Sequence, residues 1–266
     1  MAASELLDIA RTVAEEAGAL AARLRREGVA VQATKSSPID IVTAADRATE
    51  ELIRGRLAEL RPQDGFLGEE SGAEAGSSGL TWVVDPIDGT VNYLYDLPNW
   101  SVSIAVVEGE PDPTTWTALA GVVNAPILGD LYTATAGGGA FLGDRRLQVR
   151  EAVPLDRALV ATGFHYTEAI RTNQARVAQP LLARVRDLRR AGGAAIDLAY
   201  VAAGRIDAYF EQGLNPWDQA AGALLVREAG GLVRGLDGLV PTHRMTIAGR
   251  AEVVAELHAV LVELGA

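Results

Sequence analysis

The chain has 266 residues, a formal net charge of −11, three histidines and no cysteine. A chain of this length can bury a substantial core, and the lack of cysteine excludes disulfides, thiolate zinc sites and a cysteine nucleophile. The acidic balance argues against a nucleic-acid-binding surface, but an anionic substrate stays possible because bound divalent cations reverse the local field. No basic segment followed by an apolar one opens the sequence and no stretch is long enough to span a membrane, so we expect a cytoplasmic protein.

Two helices are predicted at the start of the chain. Apolar residues recur at helical spacing over residues 4–28, and a polar segment follows at residues 35–40. Thr43 is placed to cap a second helix, which should run to about Leu60 and stop before the next proline. Asp46 falls in the first turn of that helix, where an acidic side chain stabilises the helix dipole, and this alone would explain it.

A short apolar segment, residues 65–71, contains the adjacent acids Glu69 and Glu70. Such a pair is commonly found in a solvated loop, although this position also allows a carboxylate to face a cleft. The Gly/Ser-rich residues 73–79 predict a surface loop.

The most informative stretch is a short apolar run that leads into two aspartates. Pro86 fixes its own φ and favours an extended conformation at Asp85, so we expect the strand to end at Asp85. Asp88 should then lie in a tight turn, and Gly89 and Thr90 should open a helical turn. The stretch brings several kinds of group to one point. The carboxylates and a backbone carbonyl suit Mg²⁺ or Mn²⁺, and the N–H groups at the helix start suit a phosphate. The alternative is an acidic turn in which Asp88 caps a helix.

The remaining sequence predicts a mixture of strands and helices. Alternating patterns separated by turns predict an antiparallel sheet from strands at residues 100–107, 117–123, 129–133, 140–142 and 147–149. Further elements are a strand at 158–161, a helix at 167–184, a helix from 192 to 204, a strand at 206–211, a helix beginning at 217, a strand at 246–248 and a helix at 252–264. Because no regular βαβ period is present, layered sheets and helices are favoured over a Rossmann or TIM fold.

Three motifs occur in order, namely Gly68-Glu69-Glu70, Asp85-Pro86-Ile87-Asp88-Gly89-Thr90 and Trp217-Asp218-Gln219-Ala220-Ala221-Gly222. Together they resemble the three signatures of the inositol monophosphatase family, and the similarity extends to residues 35–46 and 192–211. The resemblance implies an α+β fold, a layered αβαβα sandwich of the inositol monophosphatase and fructose-1,6-bisphosphatase type, over a single domain at residues 1–266. It implies subdomains at about 1–150, with the metal motifs and the antiparallel sheet, and 151–266, for substrate recognition. A homodimer and lithium sensitivity are also implied.

The resemblance places a metal site in a cleft between the layers. The resemblance implies that this site holds two or three Mg²⁺ ions, with Mn²⁺ as an alternative. Their ligands would be the backbone carbonyl of Ile87 and the carboxylates of Glu69, Asp85, Asp88 and Asp218. Four adjacent carboxylates repel one another unless a cation is bound, which agrees with such a site. For Asp218 alone, capping of a helix is the alternative.

The implied reaction is hydrolysis of a phosphate monoester by a metal-activated water. Thr90 and Asp46 resemble the family pair that orients the water and helps to deprotonate it, with assistance from Glu69, and this replaces the helix-start interpretation of Asp46. The N–H groups of Gly89 and Thr90 would receive the phosphate. Lys35 would hold an outer metal water or face the phosphate, with a solvated lysine as the alternative.

Substrate selection is implied by another set of positions. Glu211 and Ala194 match family positions that contact polyol hydroxyls, and Gly192 and Gly193 lie beside them. A carboxylate that accepts from vicinal hydroxyls suits inositol, although a strand-end glutamate is often simply exposed. Residues 163–166 resemble bacterial rather than animal members.

We therefore expect hydrolysis of myo-inositol 1-phosphate. Relatives that act on histidinol phosphate, fructose 1,6-bisphosphate or 3′-phosphoadenosine 5′-phosphate share the metal motifs, so these esters stay open. A hypothesis of another class is a binding role, because some bacterial relatives associate with the transcription machinery.

Overall fold

A computed structural model describes residues 3–28, 31–34 and 41–266 of the chain, with only the backbone of residues 31–34, 41 and 42. Lys35 and the polar segment at residues 35–40 lie outside the described residues. The helices are α1 (Ala3–Glu27), α2 (Ala44–Leu60), α3 (Thr90–Leu94), α4 (Glu168–Leu182), α5 (Ala194–Ala202), α6 (Pro216–Glu228) and α7 (Ala251–Glu263), with a short 3-10 helix at Leu155–Arg157. Over the described ranges, none of the helices is long and apolar enough to cross a membrane.

The strands form two large sheets and one small hairpin. The strands are β1 (Val31–Thr34), β2 (Ile41–Thr43), β3 (Gly65–Gly68), β4 (Gly72–Glu74), β5 (Leu80–Asp88), β6 (Ser101–Glu108), β7 (Thr117–Ala125), β8 (Asp130–Thr135), β9 (Gly139–Leu142), β10 (Arg145–Arg146), β11 (Leu159–Thr162), β12 (Asp187–Arg189), β13 (Ala208–Glu211), β14 (Leu232–Arg234) and β15 (Thr246–Gly249). The hairpin is formed by β1 and β2.

The first large sheet has the strand order β10-β9-β8-β7-β6-β5-β3-β4. It is antiparallel except where β3 runs parallel to β5, so the antiparallel sheet predicted after residue 100 is confirmed. Helices α1 and α2 cover one face, where Leu6, Ile53 and Trp82 share a buried cluster. Helices α5 and α6 cover the other face, where Leu198 packs in one cluster with Val83. Full burial of each such side chain stabilises the fold by about 1.5–3 kcal/mol.

The second large sheet is mixed and has the order β12-β11-β13-β15-β14. Its inner face contributes Tyr209 and Ala248 to the same core as α5 and α6. Its outer face packs on α4 and α7, through a cluster that includes Val160, Val177 and Leu257. The layers thus run helix, sheet, helix, sheet, helix, which confirms the predicted α+β sandwich.

The expectation that the strand ends at Asp85 is wrong. Strand β5 continues through Pro86 to Asp88, so Asp88 lies at the strand end and not in a tight turn. The ladder with β3 stops at the pair Gly68 and Val84, and the ladder with β6 loses its regular register between Asp85 and Asp88. Because Pro86 has no N–H to donate, this irregularity falls where the proline stands.

A second correction concerns residues 147–149, which do not form a strand. Leu147 N donates to Ala140 O at 2.8 Å, whereas Val149 N donates to Ala229 O at 3.0 Å. The segment therefore bonds to two different elements in succession and joins no ladder. An alternating pattern cannot distinguish this arrangement from a strand.

Candidate metal and substrate site

A cavity of about 330 Å³ opens at the end of β5, beside the first residues of α3, α5 and α6. Most of the site residues predicted from the sequence line it, namely Glu69, Asp85, Ile87, Asp88, Gly89, Thr90, Gly192, Ala194, Glu211 and Asp218. Asp46 and Gly193 lie behind the lining and contact it through Thr90 and Asp88, respectively. Motifs far apart in sequence therefore meet in one cavity.

Glu69 and Asp85 are neighbours because their strands are parallel. Strands β3 and β5 run side by side, so their carboxyl ends reach the same edge of the sheet, and Glu69 N donates to Val84 O at 3.2 Å. Asp85 is buried, and its Oδ1 accepts from Ile87 N at 3.1 Å. Burial, followed by the negative charge of Glu69, raises the pKa of Asp85 well above its usual range.

Asp88 is tied to the start of helix α5. Its Oδ1 accepts from Ala194 N at 3.0 Å and its Oδ2 from Ala195 N at 2.9 Å. Burial raises the pKa of Asp88 to about 6, although these backbone hydrogen bonds act in the opposite direction. The contacts bring helix α5 against the end of β5.

Asp218 caps a helix and also lines the cavity, so the helix cap that the sequence offered as an alternative is present. In the first turn of α6 its Oδ2 accepts from Asn215 N at 2.6 Å, which makes it part of a capping box. The same side chain lines the cavity, and burial together with the charge of Glu69 raises its pKa well above the usual range. The cap therefore fixes a carboxylate that also faces the cluster of acids.

The donors in this cluster are all oxygens, from four carboxylates and the backbone of Ile87. Among the described residues, no three acidic or histidine side chains are already grouped as ligands of a metal ion. This agrees with the internal hydrogen bonds that Asp88 and Asp218 make. The chemistry of the donor set nevertheless fits a hard divalent cation, since such a cation prefers oxygen and would relieve the repulsion that raises the pKa of Asp85.

Thr90 and Asp46 form the next contact of the site. Thr90 Oγ1 lies 3.2 Å from Asp46 Oδ1 and 3.2 Å from Ile87 O. Asp46 is only 1% exposed, and its Oδ2 accepts from Thr43 N at 2.8 Å and from Thr43 Oγ1 at 2.5 Å. Burial raises the pKa of Asp46 to about 6, partly offset by the hydrogen bonds from Thr43. Asp46 thus closes a capping box and contacts the hydroxyl at the cavity wall.

Glu50 is a residue of this region that the sequence analysis missed. It is buried, and its Oε2 accepts from Glu70 N at 2.9 Å. A Cβ at Gly68 would overlap the Glu50 carboxylate, so the glycine allows the close approach. The available signal was its spacing of four from Asp46, which puts both acids on one face of α2.

Glu211 lies at the end of β13 and lines the cavity. Tyr209 Oη donates to Glu211 Oε2 at 2.6 Å, and a Cβ at Gly163 would overlap the carboxylate. Burial raises the pKa of Glu211 to about 7, with the hydrogen bond from Tyr209 and the charge of Arg190 acting against it. The side chain is therefore held in the cavity and not on an open strand end.

Three further lining residues had no assigned part in the sequence analysis. The rings of His165 and His243 meet edge to face with their centres 6.1 Å apart. Asp197 lines the cavity from the otherwise apolar helix α5, and that single acid in an apolar helix was the signal available. The cavity wall is thus more polar than the motifs alone indicate.

The sequence model described as the inositol monophosphatase family matches residues 2–264. The chain belongs to the inositol monophosphatase family. An inositol-1-monophosphatase of Mesorhizobium japonicum is 42% identical over 241 residues, which cover 90% of this chain and 88% of the relative. The Nus factor SuhB of Escherichia coli K12 is 42% identical over 236 residues, which cover 88% of this chain and 86% of the relative. A crystal structure of the extragenic suppressor protein suhB from Bartonella henselae has a TM-score of 0.88 and 37% identity, covering 97% of this chain and 98% of that one.

Membership of the inositol monophosphatase family supports a phosphatase. The family comprises generally metal-dependent phosphatases that act on small-molecule phosphate esters. The oxygen-only cluster of this chain agrees with that class, and the names of the relatives divide between an inositol phosphatase and a Nus factor.

Proposed function

We propose that the protein is a Mg²⁺-dependent phosphomonoesterase that hydrolyses myo-inositol 1-phosphate to inositol and phosphate. The observation that carries the proposal is the meeting of Glu69, Asp85, Asp88 and Asp218 with Glu211 in one cavity. The acids provide a divalent-cation site, and Glu211 provides an acceptor for the hydroxyls of the leaving alcohol.

The four carboxylates and the backbone carbonyl of Ile87 would hold two or three Mg²⁺ ions, with Mn²⁺ as an alternative. When bound, the ions would lower the pKa of a water and stabilise the charge that develops on the leaving oxygen. Mutual repulsion among Glu69, Asp85 and Asp218 is relieved in that state, which supports cation binding by these residues.

Thr90 and Asp46 would manage the proton of the attacking water. The hydroxyl of Thr90 accepts that proton and passes its own to Asp46 Oδ1, which lies 3.2 Å away. A carboxyl group with a pKa of about 6 is ionised at neutral pH and is still basic enough to accept a proton. Glu69, which lines the same cavity, would assist by orienting the water.

The phosphate would be received by the N–H groups of Gly89 and Thr90 at the start of α3. Gly89 has a φ of +92°, and a Cβ there would lie 2.9 Å from Asn99 O, so glycine suits this close approach. Glu211 and Ala194 would orient the inositol ring, with Gly192 in the wall beside them and Gly193 directly behind it.

The test is phosphate release from myo-inositol 1-phosphate, histidinol phosphate, fructose 1,6-bisphosphate and 3′-phosphoadenosine 5′-phosphate, with Mg²⁺ and with EDTA. Preference for the inositol ester that is lost in EDTA supports the proposal. Preference for another ester would retain the chemistry but contradict the substrate assignment.

A binding role with the transcription machinery is the second candidate, because relatives that are 42% identical carry the name Nus factor SuhB. The variant Asp88→Asn separates the two roles, since it removes a carboxylate from the cation site. Loss of hydrolysis with an intact cellular role would favour binding, whereas loss of both would favour catalysis.

We further propose that the protein is a cytoplasmic homodimer and that Li⁺ inhibits it by competing with Mg²⁺ at this site. Sedimentation of the purified protein tests the dimer. Inhibition by LiCl compared with NaCl at equal ionic strength tests the competition.

A further inference from the structure

Asp197 is a buried carboxyl group that faces the substrate side of the cavity. It is only 2% exposed, yet it is among the residues that line the cavity wall. It lies in the first turns of α5, three residues after Ala194 and therefore on the same face of the helix. Ala194 and Asp197 both line the cavity.

The carboxyl of Asp197 differs from the other acids of the site in its partners. Asp88 and Asp218 accept backbone hydrogen bonds, and Glu211 accepts one from Tyr209. Among the described residues no group donates a hydrogen bond to the Asp197 side chain, whose interactions are electrostatic, with Glu211, Asp88 and Arg190. A carboxyl group that receives no hydrogen bond from the protein and lines a cavity is available to a donor that occupies the cavity, whether water or a ligand.

We propose that Asp197 is a second hydroxyl-binding group of the substrate site, which acts with Glu211 to select phosphate esters of polyols. This inference rests on the proposed phosphatase function and adds the group that recognises the leaving alcohol. The two carboxyl groups line one cavity. Two acceptors in one cavity suit two hydroxyls of one ring.

An ammonium group is the other ligand that a pair of acids attracts, and the surroundings favour hydroxyls over it. The guanidinium of Arg190 already acts on both Asp197 and Glu211 as a positive charge. Since Glu211 has a pKa of about 7, the pair carries less than its full negative charge near neutral pH. The two carboxyl groups therefore favour hydroxyl groups, which both donate and accept hydrogen bonds, over an ammonium group.

The test compares myo-inositol 1-phosphate with cyclohexyl phosphate, which has the same ring size and no hydroxyls. The selectivity ratio is kcat/KM for myo-inositol 1-phosphate divided by kcat/KM for cyclohexyl phosphate. It is measured for the wild type, Asp197→Ala and Asp197→Asn. Glu252→Ala is the matched control, because Glu252 is an acid in the first turn of α7 that does not line the cavity. Histidinol phosphate is included as an ester that carries an ammonium group.

The proposal predicts that Asp197→Ala lowers the ratio by about threefold to tenfold, the effect of losing one hydrogen bond. Asp197→Asn should lower it less, because an amide still accepts and donates, and the control should leave it at the wild-type value. Hydrolysis of cyclohexyl phosphate by each variant shows that it has folded.

Three outcomes would overturn the inference. In the first, the ratio stays within about twofold of the wild-type value in both Asp197 variants. In the second, hydrolysis of both esters slows by the same factor and the Mg²⁺ concentration needed for activity changes, which would mean that Asp197 acts through the metal site. A selective loss on histidinol phosphate would assign an ammonium ligand. If the wild type hydrolyses cyclohexyl phosphate but not the inositol ester, the proposed function itself fails, and this is distinct from a failure of Asp197.

Discussion

Thr90 Oγ1 lies 3.2 Å from Asp46 Oδ1, although the two residues are 44 positions apart in the chain. Helix α2 carries Asp46 in its first turn, and α3 begins at Thr90 directly after the end of β5. The contact joins a helix-capping acid to the wall of the acidic cavity. It is the geometry from which we derive the proposed proton path.

The variant Asp46→Asn should lower kcat by about 100-fold to 10,000-fold, because the amide cannot accept the proton that Thr90 passes on. Steady-state hydrolysis of myo-inositol 1-phosphate measures the effect. Glu51→Gln, an exposed acid on the same helix, is the control and should retain activity. Near-wild-type kcat in a folded Asp46→Asn protein would remove Asp46 from the proton path.

Mg²⁺ should stabilise the folded protein, since it offsets the burial and the mutual repulsion that raise the pKa values of Asp85 and Asp218. At 100 times the dissociation constant the gain is about 2.7 kcal/mol. Thermal unfolding against Mg²⁺ concentration, with EDTA as the reference, measures it.

Asp85→Asn should change two quantities in opposite directions in the same assay, namely the unfolding temperature in EDTA and the stabilisation by Mg²⁺. It should unfold at a higher temperature than the wild type in EDTA, because one buried charge is gone, and it should gain less from Mg²⁺. An unchanged gain from Mg²⁺ would mean that the cation binds elsewhere.

Glu50→Gln should raise the Mg²⁺ concentration needed for half-maximal activity by about tenfold, as expected when a group that orients a metal ligand is altered. The reason is that Glu50 Oε2 accepts from Glu70 N at 2.9 Å and so fixes the turn that carries Glu69. Activity titrated with Mg²⁺ is the readout, and Glu59→Gln at an exposed position of α2 is the control. An unchanged requirement for Mg²⁺ would limit Glu50 to a packing role.

Asp64 should contribute stability that depends on pH. Burial alone would raise its pKa, but hydrogen bonds, first from Arg61 and also from Trp82 Nε1 at 3.0 Å, hold the pKa below the usual value. Because the folded-state pKa is lowered, this stability is present above the unfolded pKa of about 3.9 and is lost as pH falls through the folded value.

The variant Asp64→Asn should accordingly lose about 1–3 kcal/mol of unfolding free energy at pH 7. The difference from the wild type should shrink as the pH falls below 4 in urea unfolding experiments. A constant difference across that range would show that charge is not the source of the stability.

Patterns in the sequence predicted the features that depend on local chemistry. The cap at Thr43 and the helix starts at Thr90 and near Trp217 are present, because capping and turn preferences act within a few residues. The family resemblance carried by the three motifs also predicted ten of the residues that line the cavity.

Features that depend on distant partners were missed or mistaken. Strand β5 continues past Pro86 because β6 still pairs with Asp88 beyond the irregularity. The local preferences of proline do not predict this pairing. Glu50 and Asp197 matter through contacts made by other elements, with Glu70 N and with the cavity, so their sequence neighbours do not mark them. Tertiary packing decided each of these cases.

The most direct test titrates Mg²⁺ into metal-free protein and follows two signals, hydrolysis of myo-inositol 1-phosphate and thermal stability. We predict that both rise over the same Mg²⁺ concentrations and that Asp218→Asn shifts both to higher concentrations. Stabilisation by Mg²⁺ without release of phosphate from the inositol ester would contradict the proposed function.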